Sequence, residues 1–342
     1  MSIGRMILGR FGSSLIAFIG VSIVIFGIAR ILPGDPARIA LGPSASDEQV
    51  AALRAERHLD ASIPEQYLRY VVDVLHGDFG QSLYTNRPVL QDIVDFLPRT
   101  LELAIFAAIA MILIGLPLGI LGAHFRRRWP DHATRIIALL AVSTPGFVWA
   151  ILLQFIFAFQ LGWFPLEGSL TRGVEAPETV TGLVTFDAMI AGNWTAFFDG
   201  LHHLVLPAVA LAMSGLGQTA RLTRSSMGDT YRSPFIEMAR AFGFSSRRIA
   251  TRFAFKPSLT PILTVLGLDF AALLGNAFLI ELIFSWPGIS RYGVQVILRN
   301  DLDAIVGTVL VISGAFLLIN LIVDLVVVAI NPKLRAELAK GA

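Results

Sequence analysis

The chain has 342 residues, 55% of them hydrophobic and only 15% charged, with a mean hydropathy of +0.69. A soluble domain carries roughly a quarter charged residues, so this composition belongs to a membrane protein. A net charge of +2 with no gathered basic face argues against nucleic-acid binding, and the lack of cysteine removes disulfides, thiolate nucleophiles and Cys-type metal sites.

Hydropathy predicts an all-α integral membrane protein with six spans, at 11–31, 100–123, 134–161, 201–222, 259–283 and 304–330. Each is long enough to cross a ~30 Å hydrocarbon core. The first follows Arg5 and Arg10, is too long for a signal-peptide core and runs into LPGDP instead of a small-residue cleavage site, so it reads as an uncleaved span. Residues 32–98 are expected to form an outer cap, with surface helices at 46–61, begun by Ser46, and at 63–75. Its single histidines, His58 and His76, have no partners suited to catalysis. Gly115, Pro117, Gly119 and Gly122 in the second span, and Pro145 and Gly146 in the third, mark kinks or close helix approach. The loop 162–200, rich in Gly, Thr and Pro, reads as irregular, and 285–303 carries SWPGISRYG. The core would thus run over 99–330, followed by a tail at 331–342. Basic residues fall at 5–10, 126–135, 230–256 and 333–340, whereas the cap is rich in acids, a distribution that puts both termini in the cytoplasm.

Residues 230–256, TYRSPFIEMARAFGFSSRRIATRFAFK, interrupt the apolar spans with a polar, arginine-rich stretch. Ser233 can cap a helix begun by Pro234, on which Phe235, Met238, Ala239 and Phe242 form one apolar stripe, and Gly243 can end it. Ser245 or Ser246 can cap a second helix bearing Ile249 and Phe253. Such a pair fits either an anionic lipid surface or a partner protein. Ionisable residues inside spans are costly, about 2.5–3.5 kcal/mol each on insertion scales. Glu102 and Glu281 lie near outer ends and are expected to reach water. Asp269 shares a face with Asn276, and Asp324 shares one with Asn320. No phosphate-binding G-x-x-x-x-G-K-[ST] loop occurs, so the chain cradles no ATP by that route. The adjacent His202 and His203 point apart by roughly 100° on a helix, poor geometry for a shared metal.

Several local patterns, taken together and in order, resemble one family. EMARAFG (237–243) resembles the cytoplasmic EAA signature of bacterial ABC-importer permeases. LPGDP (32–36), GDFGQSL (77–83), LPRTLEL (97–103), STPGF (143–147), ELIFSWPG (281–288) and NPKLR (331–335) resemble landmarks of its dipeptide/oligopeptide branch, B-type subunit. The resemblance implies a type I importer fold in the bacterial inner membrane. It also implies pairing with a homologous C-type permease, two ATP-binding subunits that hold ATP and magnesium, and an extracytoplasmic binding protein that delivers peptides or related solutes. The chain itself would carry no cofactor and catalyse nothing. Glu237, Ala239 and Gly243 fall on signature positions; Met238 replaces the usual alanine, and Phe253-Ala254-Phe255-Lys256 stands where the wider family has I-x-L-P. The ATPase-coupling residues would be Phe235, Glu237, Met238, Ala239, Phe242 and Gly243. Gln154, Asn276, Asn320 and Asp324 are candidate polar contacts along the translocation pathway. The rival reading is a proton-coupled secondary transporter with Asp324 or Asp269 as proton carrier, which needs no ATPase and leaves the cytoplasmic stretch without a task.

Overall fold

The computed structural model describes residues 3–31, 35–42, 45–56 and 58–330; the tail at 331–342, with NPKLR, and most of LPGDP lie outside them. The described residues are helical and form no sheet, with one isolated antiparallel bridge between Gln81 and Pro88. The first span is α1 (Ile3–Ile31). The cap holds α2 (Pro36–Leu41), α3 (Asp47–Glu56) and α4 (Ile63–Leu75). Sequence periodicity misses α2, a six-residue helix whose Asp35 side chain accepts from the Ala37 N–H, with Pro36 at its first position. At α3, Ser46 and Gln49 cap each other's N–H groups, as the S-x-x-Q spacing allows.

The second span runs unbroken from α5 (Val89–Ala110) through a π turn (Met111–Gly115) into α6 (Leu116–His124). The π turn sits just before Pro117, whose missing N–H and bulky ring disturb the regular ladder. The third span is broken. Helix α7 (Trp129–Ser143) and α8 (Gly146–Leu153), which continues as a π segment (Gln154–Gln160), meet at an angle of 108°. Thr144 is extended (φ −98°, ψ 126°) because Pro145 disfavours helix at the residue before it. After α9 (Val184–Ile190) comes α10 (Trp194–Thr230), 37 residues and therefore about 55 Å long. Helix α11 (Pro234–Ala241) follows. Then α12 (Ser246–Arg248), a π segment (Ile249–Ala254) and α13 (Phe255–Ile283) form one continuous rod. The second cytoplasmic helix expected from the sequence is therefore the foot of the fifth span. Finally α14 (Ile289–Leu298) precedes α15 (Leu302–Ile330). Among the described residues, five helical rods are long and apolar enough to cross a membrane, and six if the bent pair counts as one.

Helix α10 is the centre. It packs against α5, α6, α7, α8, α9 and α13, and 56% of its most apolar window is buried, against 11% for α1 and 6% for α15. Small residues permit this crowding: Gly119 of α6 meets Thr223 and the Ala220 carbonyl of α10 so closely that a Cβ would not fit. Leu103, Leu204, Leu211, Leu273 and Ile280 then close the core around Trp286.

The outer loops are anchored by buried carboxylates. Glu281 and Glu102 do not reach water: Glu281 is fully buried and Glu102 is 2% exposed. Glu281 accepts from the Thr100 hydroxyl and the Arg291 N–H (2.9 Å), and Thr100 in turn accepts from the Ile289 N–H (2.9 Å), so the two cap the start of α14. Glu102 does the same for α9, accepting from Thr185 N–H (2.7 Å), Val184 N–H (3.2 Å) and the Thr185 hydroxyl. The loop 162–200 is thus partly helical. Asp187 ties its approach, accepting from the Thr181 hydroxyl (2.6 Å) and from the N–H groups of Thr181 (2.8 Å), Gly182 (3.0 Å) and Val180 (3.2 Å).

Burial pushes the Asp187 carboxyl up, but the Thr181 hydroxyl and the three N–H groups outweigh it and hold the group below the usual carboxylate range. A lowered folded-state value means that the lock is complete above the unfolded value of about 3.9 and is lost as pH falls through the folded value. Hydrogen exchange at residues 180–182, corrected for intrinsic rates, should stay flat from neutral pH to about 5 and rise only below about 4. Asp187→Asn should show the fast exchange already at neutral pH.

Candidate functional site

The arginine-rich stretch builds a short helix bounded at both ends by its own sequence. Helix α11 starts at Pro234; the Ser233 side chain makes no cap hydrogen bond, and its carbonyl accepts from the Ile236 N–H (3.0 Å) instead. At the other end Gly243 takes φ +76°, a conformation cheap only for glycine. The Gly243 N–H reaches the Arg240 carbonyl (2.9 Å) and the Phe244 N–H reaches the Ala239 carbonyl (3.1 Å), the paired bonds of a Schellman ending. Ser245 then caps the foot of the fifth span through the Arg248 N–H (3.4 Å).

The packing of α11 splits the apolar stripe expected from its sequence. Ile236 and Ala239 are buried, in a cluster with Ala123, Met227, Ile249 and Ala254 that glues α11 to the ends of α6 and α10 and to the π segment at the foot of the fifth span. Phe235, Met238 and Phe242 lie on the adjoining face, with 43%, 59% and 75% of their surface exposed. Glu237 is exposed beside them and forms no ion pair among the described residues. One face of α11 is therefore fixed to the membrane domain, and the adjoining face presents three large apolar side chains with a carboxylate at their edge. Ile236 escapes the sequence reading because Phe235, Met238 and Phe242 make the stronger periodic stripe.

A second anchor stiffens the neighbouring loop. Asp131, fully buried at the start of α7, pairs with Arg224 of α10 and with Arg135, and accepts from the Arg127 N–H (2.8 Å). The His124 ring meets the Tyr231 hydroxyl (3.4 Å), linking the end of α6 to the entrance of α11.

The polar residues singled out along the spans form no hydrogen bonds with one another. Gln154 donates to the carbonyls of Leu166 (2.8 Å) and Ile283 (3.1 Å), a tie between the third and fifth spans and the outer loop. Asp324 of α15 forms an ion pair with Arg10 of α1 (2.6 Å), so its charge is neutralised inside the chain. Asn320 is half-buried one turn away, and Asn276 is exposed on α13. Asp269 receives a long contact from the Gln218 amide (3.4 Å), while its other oxygen is buried without a partner. His203 is held by the Gly168 carbonyl (3.1 Å) and the Thr171 hydroxyl, and His202 by the Trp163 carbonyl (2.7 Å), so both tie α10 to the outer loop.

A family model described as "Binding-protein-dependent transport system inner membrane component" matches residues 115–336, and the model of the corresponding N-terminal region matches residues 3–104. The chain belongs to this family. It is a permease subunit of an ABC importer in the bacterial inner membrane, spans that membrane several times and works with a substrate-binding protein. Among curated relatives, the permease is 42% identical to the probable D,D-dipeptide transport system permease protein of Escherichia coli strain K12, covering 92% of this chain and 93% of that one. It is 40% identical to the dipeptide transport system permease protein of Alkalihalophilus pseudofirmus, with 93% and 95% covered. Against the glutathione transport system permease protein of Salmonella paratyphi A the figure is 35%, with 92% and 94% covered. Among solved structures, an inward-facing methionine ABC transporter chain matches with a TM-score of 0.50 at 17% identity, covering 68% of the permease and 93% of that chain, a likeness of fold.

Proposed function

We propose that the permease forms half of the membrane pathway of an ATP-driven importer of short peptides, paired with a second homologous permease. Each permease docks one ATPase subunit, which alone binds ATP and magnesium, and both termini lie in the cytoplasm on that side. The outward face of α11 carries this reading: Phe235, Met238 and Phe242 enter an apolar groove of the ATPase, and Glu237 meets a basic group at its rim. Because Ile236 and Ala239 lock the adjoining face to three spans, a movement of the ATPase is transmitted to the bundle rather than absorbed in a loose loop. ATP binding draws the two ATPases together, the coupling helices follow, and the spans re-pack to open outward toward the binding protein.

The peptide class is supported by the dipeptide and glutathione systems among the relatives. A proton-driven mechanism through Asp324 conflicts with its ion pair to Arg10. Uptake of radiolabelled dialanine by cells expressing the complete transporter should require ATP and persist when an uncoupler collapses the proton gradient. Uptake that stops with the gradient while ATP is maintained would replace this reading with the secondary transporter.

A further inference from the structure

Asp269 lies in the middle of the 29-residue α13, within a span, where an aspartate is expensive enough to require a task. No cation among the described residues pairs with it. One carboxylate oxygen takes only the long contact from Gln218, and the other is buried with no hydrogen-bond partner. Gly215 of α10 lies against the Asp269 Cβ, and Met111 of the π turn lies against Gly215; neither can compensate a negative charge.

The position of this carboxylate on its helix matters. Ile262, Leu273, Ala277 and Ile280 of α13 are buried on one side, whereas Ala272, Gly275 and Asn276 are exposed on the other. Asp269 stands at the border between the two, about two turns from Asn276 along the same edge. Helix α10 answers with a polar stripe: Ser214, Gln218, Arg221 and Ser225 follow at i, i+4, i+7 and i+11, all of them exposed except the half-buried Gln218. The Gln218 contact sets this stripe beside the uncompensated carboxylate, along the α10–α13 edge rather than along α15. Arg221, a turn beyond Gln218, makes no ion pair with Asp269 or any other described residue. The site lacks a positive partner of its own, and Gln218 already orients the acceptor.

We propose that Asp269 is the binding position for the ammonium group of cargo crossing the membrane, with Gln218 as its positioning residue and Ser214 beside it on the path. The cargo being a short peptide rests on the reading above; the cation preference of the site does not.

The permease contains no cysteine, so Ser214→Cys introduces its only thiol. In the complete transporter this thiol should react faster with a cationic aminoethyl methanethiosulfonate than with the anionic sulfonatoethyl reagent. Asp269→Asn should reduce that ratio roughly tenfold, and Asp269→Glu should preserve it. In parallel, Asp269→Asn should depress dialanine uptake while the ATPase subunits still co-purify, and Asp269→Glu should retain most of it. An unchanged reagent ratio in Asp269→Asn would overturn the proposal. So would a Ser214→Cys thiol that stays unreactive in every nucleotide state, because the second permease would then cover the carboxylate and supply its cation. A wild-type transporter that takes up no dialanine would sink the peptide reading and leave the reagent ratio to decide the ammonium site.

Discussion

Glu281→Leu is expected to lower the thermal stability of the detergent-solubilised permease by about 3 kcal/mol. The carboxylate is fully buried and accepts from Thr100 and from the backbone of Arg291, while Thr100 caps Ile289. Leucine has similar bulk but no acceptor. It leaves the Thr100 hydroxyl and the Arg291 N–H buried and unpaired, at about 1–3 kcal/mol for each such group, and removes the anion from the start of α14. Trp286, whose indole N–H donates to the Arg99 carbonyl (2.9 Å), sits in the same knot, so its fluorescence should report the loosening. Glu281→Gln keeps one acceptor and should cost less than half as much. A Glu281→Leu protein that melts with the wild type would remove the anchoring role assigned to this residue.

The largest functional effect is expected at α11. Replacing Met238 by Glu and Phe242 by Ser removes two of the three apolar side chains on the outward face without touching Ile236 or Ala239. Burying each against a partner contributes about 1.5–3 kcal/mol, so their loss should cost at least about 3 kcal/mol, roughly two orders of magnitude in affinity for the ATPase. The variant should reach the membrane at normal levels, lose the ATPase on purification and abolish uptake. Glu237→Lys should abolish uptake through the rim contact alone. Gly243→Asp should do so by disturbing the helix end, since φ +76° costs a residue with a Cβ about 1 kcal/mol, too little to unfold the bundle. Wild-type uptake in these variants would mean that α11 is not the coupling element.

The long helices are legible in the sequence because an apolar run of span length admits few other structures. The break at Thr144 is legible too, since Pro145 forbids helix at the residue before it. The anchors Glu102 and Glu281 are not, because Glu102 holds Val184 and Thr185, 82 and 83 positions away, and Glu281 holds Thr100, 181 positions away, and nothing local separates a carboxylate with such a partner from one that reaches water. The α11 stripe fails for another reason. Phe235, Met238 and Phe242 define one apolar face, while Ile236 and Ala239 define a neighbouring one, and periodicity alone does not say which faces inward. The bundle decides: Ala123, Met227 and Ile249 leave a notch filled by Ile236, and the larger side chains are left outside. The Arg10–Asp324 pair likewise joins residues 314 positions apart and turns a candidate proton carrier into a tie between the first and last spans.

The most direct test is site-specific photo-crosslinking in intact membranes containing the complete transporter, with the probe placed in turn at Ile236, Met238 and Phe242. The coupling account predicts adducts with the ATPase subunit from Met238 and Phe242 and none from Ile236. Adducts from Ile236, or only lipid adducts from Met238 and Phe242, would contradict it.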